Sequence, residues 1–198
     1  MKKIFLSIAV VALTTLSFTT VKHDDDSHLH INKELSSLEW IGKKVSGQHA
    51  GTITIKEGSV KVEKGLVTGG EIVIDMTSIL VTDLEGEYKG KLEGHLNSPD
   101  FFDTKNHEIA ILKINSTKKT KGSIFNVKAD LTIKGITKAI EFPATIEVKE
   151  GKLAAYAEVN IDRTQYDIKY GSGKFFEGLG DKMIDDLFVV KFKIAANN

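Results

Sequence analysis

The 198-residue chain contains no cysteine. Disulfides, thiolate metal sites, cysteine nucleophiles and a lipid-modified cysteine anchor are therefore excluded. It has a single arginine, Arg163, among many lysines. Lysine serves as the solubilising cation, and a lone arginine suggests a position that needs a planar, forked donor. The plain alternative is a surface salt bridge. Neither sign of charge is in excess: 27 Lys and Arg balance 27 Asp and Glu, so the basic surplus of a nucleic-acid binder is missing. Organised catalytic signatures are missing too, including Gly-x-Ser-x-Gly and His-Glu-x-x-His. Gly171-Ser172-Gly173-Lys174 looks like a phosphate loop but lacks its spacer, its following Ser or Thr, and any α/β context. The apolar run from Ile4 to Phe18 falls short of the roughly 20 residues of a membrane span.

That run follows Met1-Lys2-Lys3 and ends among small residues, Thr14, Thr15, Ser17, Thr19 and Thr20. A basic start, an apolar middle and a small-residue exit describe a secretory signal peptide. We expect residues 1–21 to be this leader, 22–34 a flexible linker and 35–198 one folded domain, exported and without stable membrane insertion. The linker holds His23, His28 and His30 with three aspartates, a composition that suits a labile transition-metal site. The alternative is a solvated tail, since no spaced partner ligands follow.

From Leu38 onward the hydropathy alternates. Ile72, Ile74 and Met76 form one set; Phe125, Val127, Ala129, Leu131 and Ile133 another; Ile140, Phe142, Ala144 and Ile146 a third; Leu153, Ala155, Ala157, Val159 and Ile161 a fourth; Phe188, Val190, Phe192 and Ile194 the last. A two-residue period predicts antiparallel strands with one buried face. Glu57-Gly58, Lys64-Gly65, Lys121-Gly122, Lys134-Gly135 and Glu150-Gly151 read as turns between them. Eight or nine long strands in sequence favour a closed barrel without exposed edges, with a β-sandwich as the alternative.

The period changes once. Leu84, Tyr88, Leu92 and Leu96 recur every four residues, predicting a helix over 83–96 with Asp83 as N-cap. Asn97-Ser98-Pro99 ends it, and Asp100-Phe101-Phe102-Asp103 leads back to the sheet. This inserted helix is expected near the barrel mouth. His95 borders its apolar stripe, which suits either a packed imidazole or a ligand-binding one. Arg163 continues the inward parity of its strand, so it must meet an anion or reach solvent. That places it at a rim, with Asp75, Asp100, Asp103 or a ligand head group as partner.

Several stretches resemble the YceI-like family, also described as polyisoprenoid-binding. They are Trp40-Ile41-Gly42-Lys43, Gly47-Gln48-His49-Ala50-Gly51, Ile74-Asp75-Met76-Thr77-Ser78-Ile79, His95 through Asp103, Leu131 through Lys138, and Ile161-Asp162-Arg163-Thr164. The resemblance runs from about Leu35 to Ala195. The chain departs from the pattern at Asn106-His107-Glu108, which replaces an aromatic-proline step, at Ala139 in place of proline, and at Asp167 in place of glycine. The resemblance implies an all-β, extended, eight-stranded lipocalin-like antiparallel barrel that holds a long isoprenoid or similar amphiphile. It also implies export to the periplasm.

A barrel of about eight strands admits either a side-chain core or one ligand. Eleven-residue strands tilted by about 40° span roughly 28 Å. On this reading Trp40, Phe101, Phe102, Phe125, Phe142, Ala155, Ala157 and Phe192 line the interior. The small alanines leave room along the axis; the alternative is that they interleave with the phenylalanines into a solid core. His49, Asp75, His95, Asp100 and Arg163 form the mouth and head-group set. The expected protein is a non-enzymatic, exported carrier, monomeric or dimeric, of a long-chain isoprenoid, quinone-like or fatty lipid, for transport, storage or stress response. No other cofactor is expected. An enzyme using His95 with Asp100 or Asp75, and a metal-handling protein using the histidine-rich tail, are the competing readings.

Overall fold

The computed structural model describes residues 27–198. The expected leader, His23 and the first part of the expected linker lie outside them. The elements are β1 (Ser27–Ile31), β2 (Ser37–Lys44), β3 (Gly47–Glu63), β4 (Leu66–Val81), α1 (Gly86–Asn97), β5 (Ile109–Lys121), β6 (Ile124–Ile133), β7 (Ile136–Lys149), β8 (Lys152–Asp162) and β9 (Leu187–Asn197). Every pairing is antiparallel. From β3 to β9 each strand pairs with the next.

The sheet closes through β1 and β2 together. Both pair with β3 and with β9, β2 near the start of these two strands and β1 near their ends. They share one strand position, so nine segments make an eight-position barrel. Ser36 mends the break between them: its Oγ donates to Asn32 O (2.7 Å) and accepts from Ala195 N (3.0 Å). Asn32 Oδ1 accepts from the Glu34 and Leu35 amides. This corrects the expected linker over residues 27–34, which are ordered into the barrel. Ser27–Ile31 is a strand because Leu29, fully buried between exposed His28 and His30, supplies its inward side chain.

Four of the five expected turns are hairpin connections. Lys64-Gly65, Lys134-Gly135 and Glu150-Gly151 have positive φ at both residues, the twist that suits two-residue hairpins. Glu57-Gly58 is not a turn. β3 runs on through it, with a register shift between Ile55 and Glu57. The shift accounts for the parity change from Ile53 and Ile55 to Val60 and Val62, since one extra residue turns the following side chains to the other face. β4 changes parity in the same way, from Ile72, Ile74 and Met76 to Ile79 and Val81.

The β2–β3 and β6–β7 turns, the connection carrying α1, and residues 163–186 lie at one end of the barrel. The β3–β4, β5–β6 and β7–β8 turns lie at the other. α1 starts at Gly86, three residues later than expected, with Glu85 at the cap position and no side-chain cap. Asp83 is engaged elsewhere, so it does not cap. Leu96 is buried, but Tyr88, expected in the apolar stripe, is 74 % exposed.

Candidate functional site

The inward side chains do not fill the barrel. They enclose a cavity of about 190 Å³. It runs from Phe101, Phe102, Leu96 and Arg163 at the helix end to Val67 and Leu153 next to the far turns. Apart from Trp40, Arg163 and Asp185, none of the lining side chains carries a polar nitrogen or oxygen. Ala110, Ala144 and Ala155 contribute short side chains to the wall. Gly42 contributes none, and a Cβ there would meet nothing within 4 Å. Half-buried Gly42 and exposed Asp185 bring the lining to solvent beside β2.

Of the residues expected to line the interior, Trp40, Phe101, Phe102, Phe142, Ala155 and Phe192 lie in the cavity wall. Phe125 and Ala157 are buried but outside the lining. Phe125 sits next to the β5–β6 turn, where Lys119 Nζ lies 5.9 Å from its ring centre. Ala157 pairs in register with Phe192, which stacks edge-on with Phe142.

Phe101 and Phe102 are delivered by the compact segment after α1. Asn97 Nδ2 donates to Glu93 O, and Thr104 Oγ1 donates to Asn97 Oδ1 (2.6 Å). The Phe101 and Asp103 amides donate to Ser98 O, and the Phe102 amide to Leu96 O. With its backbone bonds closed locally, the segment turns both rings into the barrel end, where they pack edge-on at 5.3 Å. Glu93 Oε1 accepts from Val81 N and fixes α1 to β4.

Arg163 reaches the barrel end as expected, but not as an exposed rim residue. It is 1 % exposed, and its partners are none of the three carboxylates considered. Nε donates to Asp185 O (3.0 Å), Nη1 to Ile168 O (2.8 Å) and Tyr170 O (2.9 Å), and Nη2 to Ile184 O (3.0 Å). The Asp186 carboxylate lies 3.7 Å from Nη2. The guanidinium clasps the β8–β9 connection and lies 5.7 Å from the Phe101 ring centre. Burial lowers its pKa, opposed by Asp186, Asp162 and Asp185; it stays charged, as arginine does in proteins.

Asp162 and Lys174 complete this clasp. Asp162 Oδ1 accepts from Thr164 N (3.0 Å) and Thr164 Oγ1 (2.6 Å), capping the short 3₁₀ turn Arg163–Tyr166. Lys174 Nζ bridges Asp162 Oδ2 (3.1 Å) and Asp186 Oδ2 (3.2 Å). Burial works against ionisation of Asp162, yet the bonds from Thr164 and Lys174 outweigh it and hold the carboxyl below its ordinary range. Asp167 ends the turn at φ 60°, a left-handed conformation that glycine adopts most easily.

The other expected mouth residues are not gathered around the cavity. Asp75 holds the irregularity in β4: its Oδ1 accepts from Thr77 N and Oγ1, while Ser78 Oγ donates to Asp75 O and accepts from Thr54 N. His49 Nδ1 lies 3.0 Å from Asp83 Oδ2, and Ala50 N donates to Asp83 Oδ1. That pair ties the start of β3 to the exit of β4. His95 packs edge-on against Tyr170 (4.4 Å) and Phe101 (5.5 Å), joining α1 to the clasped loop. Asp100 is exposed. No group of three or more His, Asp or Glu side chains among the described residues is arranged to hold a metal ion. No described helix is long and apolar enough to cross a membrane.

Asp185, Ile184 and Gly42 were not anticipated. The irregular sequence of 163–186 carries no period from which an inward side could be read.

A closed antiparallel barrel with eight strand positions, capped by one helix and enclosing an apolar cavity, defines an extended lipocalin-like β-barrel. Residues 16–196 match the YceI-like domain model, and the chain belongs to that family. It is similar in structure to BcnA of Burkholderia cenocepacia, with a TM-score of 0.69 and 19 % identity over 84 % of this chain and 99 % of that one. It is also similar to a polyisoprenoid binding domain from Saccharophagus degradans implicated in plant cell wall breakdown (TM-score 0.62, 13 % identity, 86 % and 97 % covered). The Campylobacter jejuni YceI protein matches over 100 % of this chain and 99 % of its own, with a TM-score of 0.54 and 16 % identity. No curated protein matches the chain.

Proposed function

We propose that this protein is a non-enzymatic carrier that holds one long-chain isoprenoid or similar amphiphile inside the barrel, in an exported, periplasmic setting. The carrying observation is the apolar cavity, whose lining is hydrocarbon except for Trp40, Arg163 and Asp185. Each CH₂ moved into it from water gains about 0.8 kcal/mol, so a few prenyl units offset the cost of ordering the chain. Membership of the YceI-like family and structural likeness to a polyisoprenoid binding domain from Saccharophagus degradans support the class of ligand. An apolar wall discriminates weakly between chains of similar length, so identity is read at the polar end.

Arg163 serves this function by position. Its donors are spent on the loop that completes the wall, so it holds the entrance in shape. The test is transfer from liposomes carrying a long-chain polyprenol. Incubation should leave soluble protein with one polyprenol per chain after the vesicles are sedimented. Protein that stays lipid-free while the vesicles keep their polyprenol contradicts the reading.

A further inference from the structure

The three polar lining residues are not equivalent. Arg163 Nε, Nη1 and Nη2 each donate to loop carbonyls, and Nη2 also faces Asp186. Asp162, Asp185 and Asp186 all act on this one guanidinium, and Lys174 is shared between Asp162 and Asp186. An anionic head group brought here would find no free forked donor and would face Asp185, the one carboxylate in the lining, with Asp162 and Asp186 behind the guanidinium. Asp185 itself offers a carboxylate, which repels another anion. Trp40 differs: its indole Nε1 is buried and has no hydrogen-bond partner.

The ring is held in place. Trp40 pairs in register with Gly51, and a Cβ on Gly51 would lie 2.5 Å from the Trp40 Cε2 and Cζ2 atoms. Glycine at this position lets the indole lie flat across β3. A buried N–H left without an acceptor costs about 1–3 kcal/mol, and tryptophan is usually placed where that group finds a partner. His95 Nε2 is also buried and unpartnered, but His95 is outside the lining. Thr68 Oγ1 faces the Glu63 carboxylate, away from the helix end.

We propose that the Trp40 indole N–H is the polar anchor of the cavity, donating to an uncharged oxygen of the bound lipid. This rests on the carrier reading above and deepens it. The favoured ligand carries a hydroxyl, carbonyl or ether head; a phosphate or carboxylate head is disfavoured by the spent arginine and the surrounding aspartates.

Trp40 is the chain's single tryptophan, so the full chain labelled with ¹⁵N shows one indole N–H resonance. Three probes with the same prenyl chain are added: the hydrocarbon, the alcohol and the monophosphate. The alcohol should move the indole proton downfield, while the hydrocarbon binds without that shift. Trp40→Phe, which keeps an aromatic ring and removes the donor, should weaken the alcohol about five- to tenfold and the hydrocarbon less than twofold. The monophosphate should bind wild-type protein no better than the alcohol. Equal losses for alcohol and hydrocarbon, an unmoved indole resonance with alcohol bound, or preference for the phosphate would overturn the anchor and leave the carrier reading standing. Failure of all three probes to bind wild-type protein would remove both.

Discussion

Arg163 is buried with four of its five guanidinium N–H bonds donated to carbonyls of one connection, and the Asp186 carboxylate stands 3.7 Å from Nη2. Removing one partner from a buried charged network costs about 3–5 kcal/mol. Arg163→Ala should therefore lower the urea midpoint severely, and Arg163→Lys should recover little, because an ammonium cannot reproduce the planar fork. Equal stability of Arg163→Lys and wild type would contradict the clasp. Gly51→Ala should be comparably harmful: its Cβ would sit 1.9 Å from Leu80 O, a backbone atom that cannot swing away. Two titrations bound the stable pH range. Burial raises Tyr166 to about 12, so the folded state keeps a proton that the unfolded chain sheds near pH 10. Stability is full below pH 10 and declines as pH rises toward 12, and Tyr166→Phe should flatten that decline. Asp162 is depressed, so its contribution is present above about pH 4 and fades as pH falls through its folded value. Both slopes are read from denaturation midpoints across pH.

Much of this was legible because burial imposes alternation. Trp40, Phe142, Ala155 and Phe192 were placed inside by parity alone, and parity also put Arg163 at the end of an inward row. Its partners were not legible, since they are backbone carbonyls of an irregular loop 5 to 22 residues away in sequence. Polar residues within the strands misled in a consistent way. Asp75 and His49 satisfy backbone and neighbouring side chains, as short polar groups often do at irregularities.

Strand and helix boundaries show where local patterns fail. Glu57-Gly58 has the composition of a turn, yet β3 passes through it because the strand must bend around the barrel, and an extra residue supplies the bend. Gly58 is needed there: a Cβ would lie 2.7 Å from Ile31 Cδ1 and 2.8 Å from Glu71 O. Gly58→Val should therefore destabilise the seam between β1, β3 and β4, lowering the melting temperature well beyond the few degrees of a surface substitution. An unchanged melting temperature would show that β1 is not seated as described. α1 has a narrow apolar face and an uncapped start, so its stability comes from the ties at Glu93, Leu96 and Asn97. A late helix start follows from Asp83 being taken by His49 and Ala50, a contact 33 and 34 residues away that no local pattern reveals.

The barrel as a whole trades core density for volume. Protein interiors are normally packed with few voids larger than a water molecule, and a continuous apolar cavity sacrifices the contacts that would fill it. Gly42 sharpens the test, because it sits at the entrance with open space before it. Gly42→Phe should fill that space at little cost in stability while reducing lipid uptake at least tenfold, so folding and binding separate in one variant. The most direct measurement is native mass spectrometry of the protein purified from the cells that make it, with solvent extraction and identification of whatever is released. The wild type should carry one long-chain, uncharged lipid per chain and Gly42→Phe none. A clean ligand-free mass, with no uptake of added prenyl lipid, would contradict it.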